Sequence, residues 1–81
     1  MAQDPVGRML QYIAEGLVDE PSAVSISHYE DRGATVFDVH VAEHDMGKVI
    51  GRQGRVAASI RLVARAVAMK THRRVQVEFG P

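Results

Sequence analysis

The stretch "MGKVIGRQGR", residues 46–55, holds three glycines and three basic side chains in ten positions, with no acid among them. Gly51 and Gly54 bracket Arg52 and Gln53. Glycine weakens regular structure and belongs where the backbone turns sharply or something approaches it closely. A helical pattern resumes directly after this turn. The first amides of a helix lack intrahelical partners, and the dipole is positive at that end. Residue types and spacing therefore suit holding an anion, a phosphate above all. Lys48, Arg52 and Arg55 surround the turn with positive charge, and Val49 and Ile50 put an apolar pair beside it. A phosphate next to an apolar strip suits a nucleotide chain better than a free phosphate.

Two familiar glycine-rich loops do not fit. A Walker A loop ends in Gly-Lys-Ser/Thr, and here Lys70-Thr71 follows Met69 instead. The dinucleotide fingerprint follows a strand, whereas this turn follows a helical stretch. By itself Gly-x-x-Gly often does no more than join helices. Its placement between helices, the aliphatic pair before it and the basic run after it favour a functional turn.

Other chemistry is poorly supported. The chain has no cysteine, which excludes disulfides and thiolate metal sites. His28, His40 and His44 lack ligand-like spacing and read as solvent-facing, so no metal and no other cofactor is expected. Ser22, Ser25, Ser27 and Ser59 have no credible base and third partner. The acids show no pairing pattern, and the chain does not read as an enzyme.

Charge is distributed unevenly. Residues 1–47 carry two basic residues and nine acids, whereas residues 48–81 carry eight basic residues and Glu78 alone, so a net charge of zero conceals balances of −7 and +7. Two readings fit this asymmetry: an anionic partner such as a nucleic acid, or pairing of the halves with each other. The 81 residues allow one domain. No signal-peptide pattern and no apolar run of membrane-spanning length occurs, so a soluble cytoplasmic protein is expected, without membrane contact.

The elements that must position the turn follow from periodicity. "DPVGRMLQYIAEGL" has Asp4 as N-cap and Pro5 at the first helical position, with Val6, Met9, Leu10, Ile13 and Leu17 as its apolar stripe. Pro21 ends this segment. "AVSISHY" and "TVFDVHV" alternate as strands around a turn at Gly33, with Phe37, Val39 and Val41 on one face and Asp38 and His40 on the other. "AEHDMGKVI" reads as a short helix with acids in its first turn. From about Arg55 to Thr71, Val56, Ile60, Val63 and Val67 mark a core-facing helix. "RVQVEF" is a third strand. The order α-β-β-α-α-β predicts a two-layer α+β sandwich, a three-stranded sheet with its helices on one face.

In that order, "VIGRQGR" between two helices resembles a KH domain of the second, bacterial-type topology. Nearly the whole chain is similar to the KhpA family, bacterial proteins that consist of one small KH domain, and residues 1–81 are read as one such domain. "LVDEPSAV" (residues 17–24) and "DMGKVIGRQGR" (residues 45–55) look like that family's hallmark segments. The resemblance implies binding of single-stranded RNA, with the turn clamping about four nucleotides. It assigns the clamp to Gly51, Arg52, Gln53 and Gly54, an apolar groove floor to Val49 and Ile50, and phosphate steering to Lys48 and Arg55. The opposite wall would be the second strand, residues 35–41. It further implies a role as RNA chaperone or post-transcriptional regulator affecting cell shape, and self-association or pairing with a Jag-like KH protein.

The few aromatic residues, Tyr12, Tyr29, Phe37 and Phe79, point to little base stacking, and hence to weak, sequence-tolerant, salt-dependent binding. Arg61, Arg65, Arg73 and Arg74 are candidates to extend an RNA path, with a solvated helix face the favoured reading for Arg61 and Arg65. Leu62, Ala66 and Met69 form a second apolar stripe on the long helix, a candidate dimer interface. The alternative to RNA binding as the main role is a protein-recruiting module on the same scaffold.

Overall fold

The structure is a computed structural model that describes residues 4–81. Helix α1 (Pro5–Leu17) starts where the sequence signals it: the Asp4 side chain accepts the Val6 amide at 2.9 Å, and Pro5 occupies the first position. A 3₁₀ turn at Pro21–Ala23 leads into β1 (Ser25–Asp31), then β2 (Ala34–His40). Arg32 and Gly33 join the strands, and both have positive φ, 55° and 84°. That is the hairpin turn whose twist matches the flanking strands. After β2 come α2 (Met46–Ile50), α3 (Arg55–Met69) and β3 (Val75–Gly80).

The sheet order is β1-β2-β3, with β1 antiparallel to β2 and β2 parallel to β3. The helices pack on one face, as the apolar patterns require. Phe37 and Val39 of β2, Val75 and Val77 of β3, and Val6, Leu10 and Ala14 of α1 meet Ile60, Ala64 and Ala68 of α3 in one core. The opposite face is open and acidic: Ser27, Asp38 and Glu78 form one row across the three strands. Among the described residues, no helix is long and apolar enough to cross a membrane.

The long helix is rotated relative to the expected stripe. Its buried positions are Ala57, Ile60, Ala64 and Ala68, while Val63 is 45 % exposed. Small side chains let α3 approach α1, where Ala14 is buried too. Tyr12 of α1 is largely in solvent, 79 % exposed.

Candidate nucleic-acid interface

The turn between α2 and α3 is built almost entirely from left-handed backbone. Gly51 has φ 78°, Gln53 φ 57° and Gly54 φ 74°. Within it Gly54 N–H donates to Gly51 O at 3.1 Å, and Arg55 N–H donates to Arg52 O. Among the described residues, no hydrogen bond uses the amide of Arg52 or Gln53, so two adjacent donors stand at the start of α3. Successive free amides in a turn of this kind form an anion-binding concavity. Arg52, Gln53 and Arg55 are exposed around it, and Arg55 donates to the Gln53 side-chain oxygen at 3.1 Å.

Lys48 stands one helical turn earlier. Its Nζ lies 3.3 Å from Asp19 and 3.8 Å from Asp45. Val49 is fully buried in the core, and Ile50 is half-buried. Of the apolar pair, Ile50 alone reaches the surface; Val49 lies in the core. Val56 at the start of α3 is half-buried against Gly51, and Phe79 on β3 is half-buried beneath Arg61.

The strand flanking α2 and α3 is β3, which packs against both. The expected wall, residues 35–41, belongs to the central strand, whose backbone is paired on each side. β3 is an edge strand, and Arg61 of α3 is anchored to it. Arg61 Nε donates to Val77 O at 2.9 Å, and its guanidinium carbon lies 5.4 Å from the centre of the Phe79 ring.

Behind the turn, the carboxylate of Asp45 is completely buried. It accepts the amides of Asp19 and Glu20 at 3.1 Å each, with the His44 ring 3.6 Å away. Desolvation pushes its pKa up, but the two amides and the charges of His44 and Lys48 outweigh this and hold it below the usual carboxylate range. This single side chain joins "LVDEPSAV" to "DMGKVIGRQGR". The two segments that carry the resemblance are therefore one structural unit.

The family model for the KhpA/KhpB KH domain matches residues 8–79. The chain belongs to the KhpA/KhpB family. It is 42 % identical to the RNA-binding protein KhpA of Caldanaerobacter subterraneus over 91 % of this chain and 99 % of that one. It is 45 % identical to the RNA-binding protein KhpA of Clostridium acetobutylicum, over 89 % and 96 % respectively. Among solved structures it is similar to Aquifex aeolicus Era bound to GDP·AlF4⁻ (TM-score 0.63, 19 % identity). It is also similar to Era in complex with MgGDPNP and a segment of 16S ribosomal RNA (TM-score 0.60, 17 % identity). The chain covers 91 % of itself but only 29 % and 28 % of those two Era chains, a likeness of fold alone.

Within this KhpA-type domain, Lys48, Ile50 and residues 51–55 lie together at one corner, with Val49 beneath them. Arg73 is elsewhere: it pairs with Asp4 at 3.0 Å and donates to Thr35, tying the start of β3 to the cap of α1. Arg61, expected in solvent, is the residue that joins α3 to β3. Among the described residues, Lys48 and Arg73 are the two basic residues of the second half that pair with acids of the first, so most of the positive charge there stays unneutralised. His44 lies 3.6 Å from carboxylate oxygens of Glu20 and Asp45, and no metal-holding group of side chains occurs among the described residues.

Leu62 and Met69 are 67 % and 71 % exposed, and Ala66 is exposed between them. With Val63 they make an apolar outward face on α3.

Proposed function

We propose that this protein binds single-stranded RNA, with residues 51–54 clamping the sugar–phosphate backbone and Ile50, Val56 and Phe79 flooring the groove for bases. The observation that carries this reading is the pair of adjacent unpartnered amides at Arg52 and Gln53, set among Lys48, Arg52 and Arg55. The relatives that bear the name RNA-binding protein support it. Backbone clamping tolerates many sequences, which suits an RNA chaperone or post-transcriptional regulator in the cytoplasm.

The test is fluorescence anisotropy with a labelled, unstructured RNA pool, comparing the natural protein with Arg52→Asp/Gln53→Asp. Both glycines remain, so circular dichroism should be unchanged while binding is lost. Equal binding by the two proteins would place RNA on another surface.

A second reading is favoured by the exposed face of Leu62, Val63, Ala66 and Met69. It makes α3 an association surface, for a second copy or for a Jag-like KH partner. Leu62→Glu should keep the fold and shift sedimentation towards monomer; an unaltered dimer would end this reading.

A further inference from the structure

Arg61 is held in a way that a solvated arginine is not. The bond from Nε to Val77 O ties it to β3, and its guanidinium lies over the Phe79 ring. No carboxylate pairs with it, and its terminal nitrogens have no hydrogen-bond partner among the described residues. What remains is a planar fork of donors, held at Nε and unengaged at both terminal nitrogens. It stands on β3, the strand that packs against both α2 and α3, about 9 Å of helix rise from Arg55. A backbone held at the turn can lay a base along that strand.

We infer that Arg61 reads one base of the bound RNA and selects those that present two adjacent acceptors. This rests on the RNA-binding reading above and adds a preference at one nucleotide to a clamp that is otherwise sequence-tolerant. A guanidinium fork has donors only. Guanine offers O6 and N7 side by side, and cytosine offers O2 and N3. Adenine places its amino donor next to N7 or N1, and uracil places N3–H between its two carbonyls. At adenine or uracil, therefore, one prong of the fork meets a donor. A good bidentate contact discriminates by roughly fivefold to a hundredfold. Because the fork is held at Nε before RNA arrives, little of that preference is lost to freezing the side chain.

The experiment is anisotropy with labelled octanucleotides of cytidine, of uridine, of adenosine, and of adenosine with two central guanosines. The full chain is compared with Arg61→Lys, which keeps the charge and can still reach Val77 O but has no fork; Arg61→Gln serves as a second variant. The natural protein should bind the cytidine and guanosine-bearing probes at least about fivefold more tightly than the other two. Arg61→Lys should bring all four probes to the adenosine level while leaving affinity for adenosine within about twofold. Equal binding of all four probes by the natural protein overturns the inference and leaves the clamp standing. So does a uniform loss across the four probes in folded Arg61→Lys, since Arg61 would then be only a charge. No binding of any probe by the natural protein overturns the RNA reading itself, and this inference with it.

Discussion

A β-carbon on Gly51 would stand 2.8 Å from Cβ of Val56 and 2.9 Å from the Val56 backbone nitrogen. The chain leaves α2 and folds back on the start of α3 with no room for a side chain. At Gly54 the backbone is equally left-handed, but the same construction meets nothing within 4 Å. The two glycines of the turn are thus required for different reasons. Gly51 is needed for space and conformation, Gly54 for conformation alone.

Gly54→Ala should therefore lower stability by about 1–2 kcal/mol, the cost of a left-handed non-glycine residue. Gly51→Ala adds overpacking against Val56 and should lose at least about 3 kcal/mol. A chain of 81 residues has a total stability of roughly 4–12 kcal/mol, so the second loss is a large fraction of it. Urea unfolding of both variants measures the difference; equal losses would mean that the turn relaxes away from Val56.

Gln53 is the non-glycine residue of the turn with positive φ. Gln53→Gly relieves roughly 1–2 kcal/mol of strain and adds roughly 0.5–1 kcal/mol of unfolded-state entropy. A net gain of about 0.5–1 kcal/mol is expected by thermal melting, together with weaker RNA binding, because the side-chain oxygen that holds Arg55 is gone. A variant that is both more stable and an undiminished binder would show that the strain has no functional role.

How much of this was legible in advance depends on the kind of signal. The turn, the element order and the hairpin were readable because glycines, caps and alternation act locally. The buried face of α3 was not, because large side chains dominate a periodicity count, whereas the close approach to α1 is made by Ala57, Ala64 and Ala68. Nor was Val36, which lies in the open-face row of Tyr29 and Gln76 and is nonetheless buried. Asp45 was read as a first-turn acid favoured by the dipole. It makes no cap bond to α2 and instead serves Asp19 and Glu20, 26 and 25 residues back along the chain. Arg61 looked like one half of an exposed basic pair, since nothing local announces a bond to Val77. Long-range polar contacts leave no period to read.

Asp45 also sets an acid limit on the fold. Its pKa is depressed in the folded state, so its contribution is complete above the unfolded value of about 3.9 and fades as pH falls through the folded value. Asp4 is also depressed: burial raises its pKa, but the Arg73 hydrogen bond and charge and the amides of Val6 and Gly7 lower it further, and its contribution is lost in the same direction. Asp45→Asn replaces one acceptor with a donor that faces an amide, and it should melt several degrees lower at pH 7. The gap between the two proteins should narrow from about pH 4 downward, as the natural carboxyl takes up its proton. A gap that stays constant down to pH 3 would remove Asp45 from the acid response.

Lys48 is a cation beside the turn that already pairs with carboxylates. Asp19 holds its Nζ at 3.3 Å, and both side chains are substantially exposed, so the pair contributes only about 0–1 kcal/mol to stability. For a phosphate, however, that pair is competition, because Lys48 must give up Asp19 or share its charge. Asp19→Asn keeps the backbone amide that Asp45 accepts and removes the nearer of the two carboxylates beside the ammonium, leaving Asp45 at 3.8 Å. Stability should change by less than about 0.5 kcal/mol, while RNA affinity at low salt rises by up to about fivefold. The gain should shrink with added salt, since exposed charges are screened, and the slope of log affinity against log salt should steepen. Anisotropy titrations across a salt series decide it. If Asp19→Asn and the natural protein share one slope and one affinity, Lys48 stands outside the phosphate path, and the clamp relies on Arg52, Arg55 and the two amides between them.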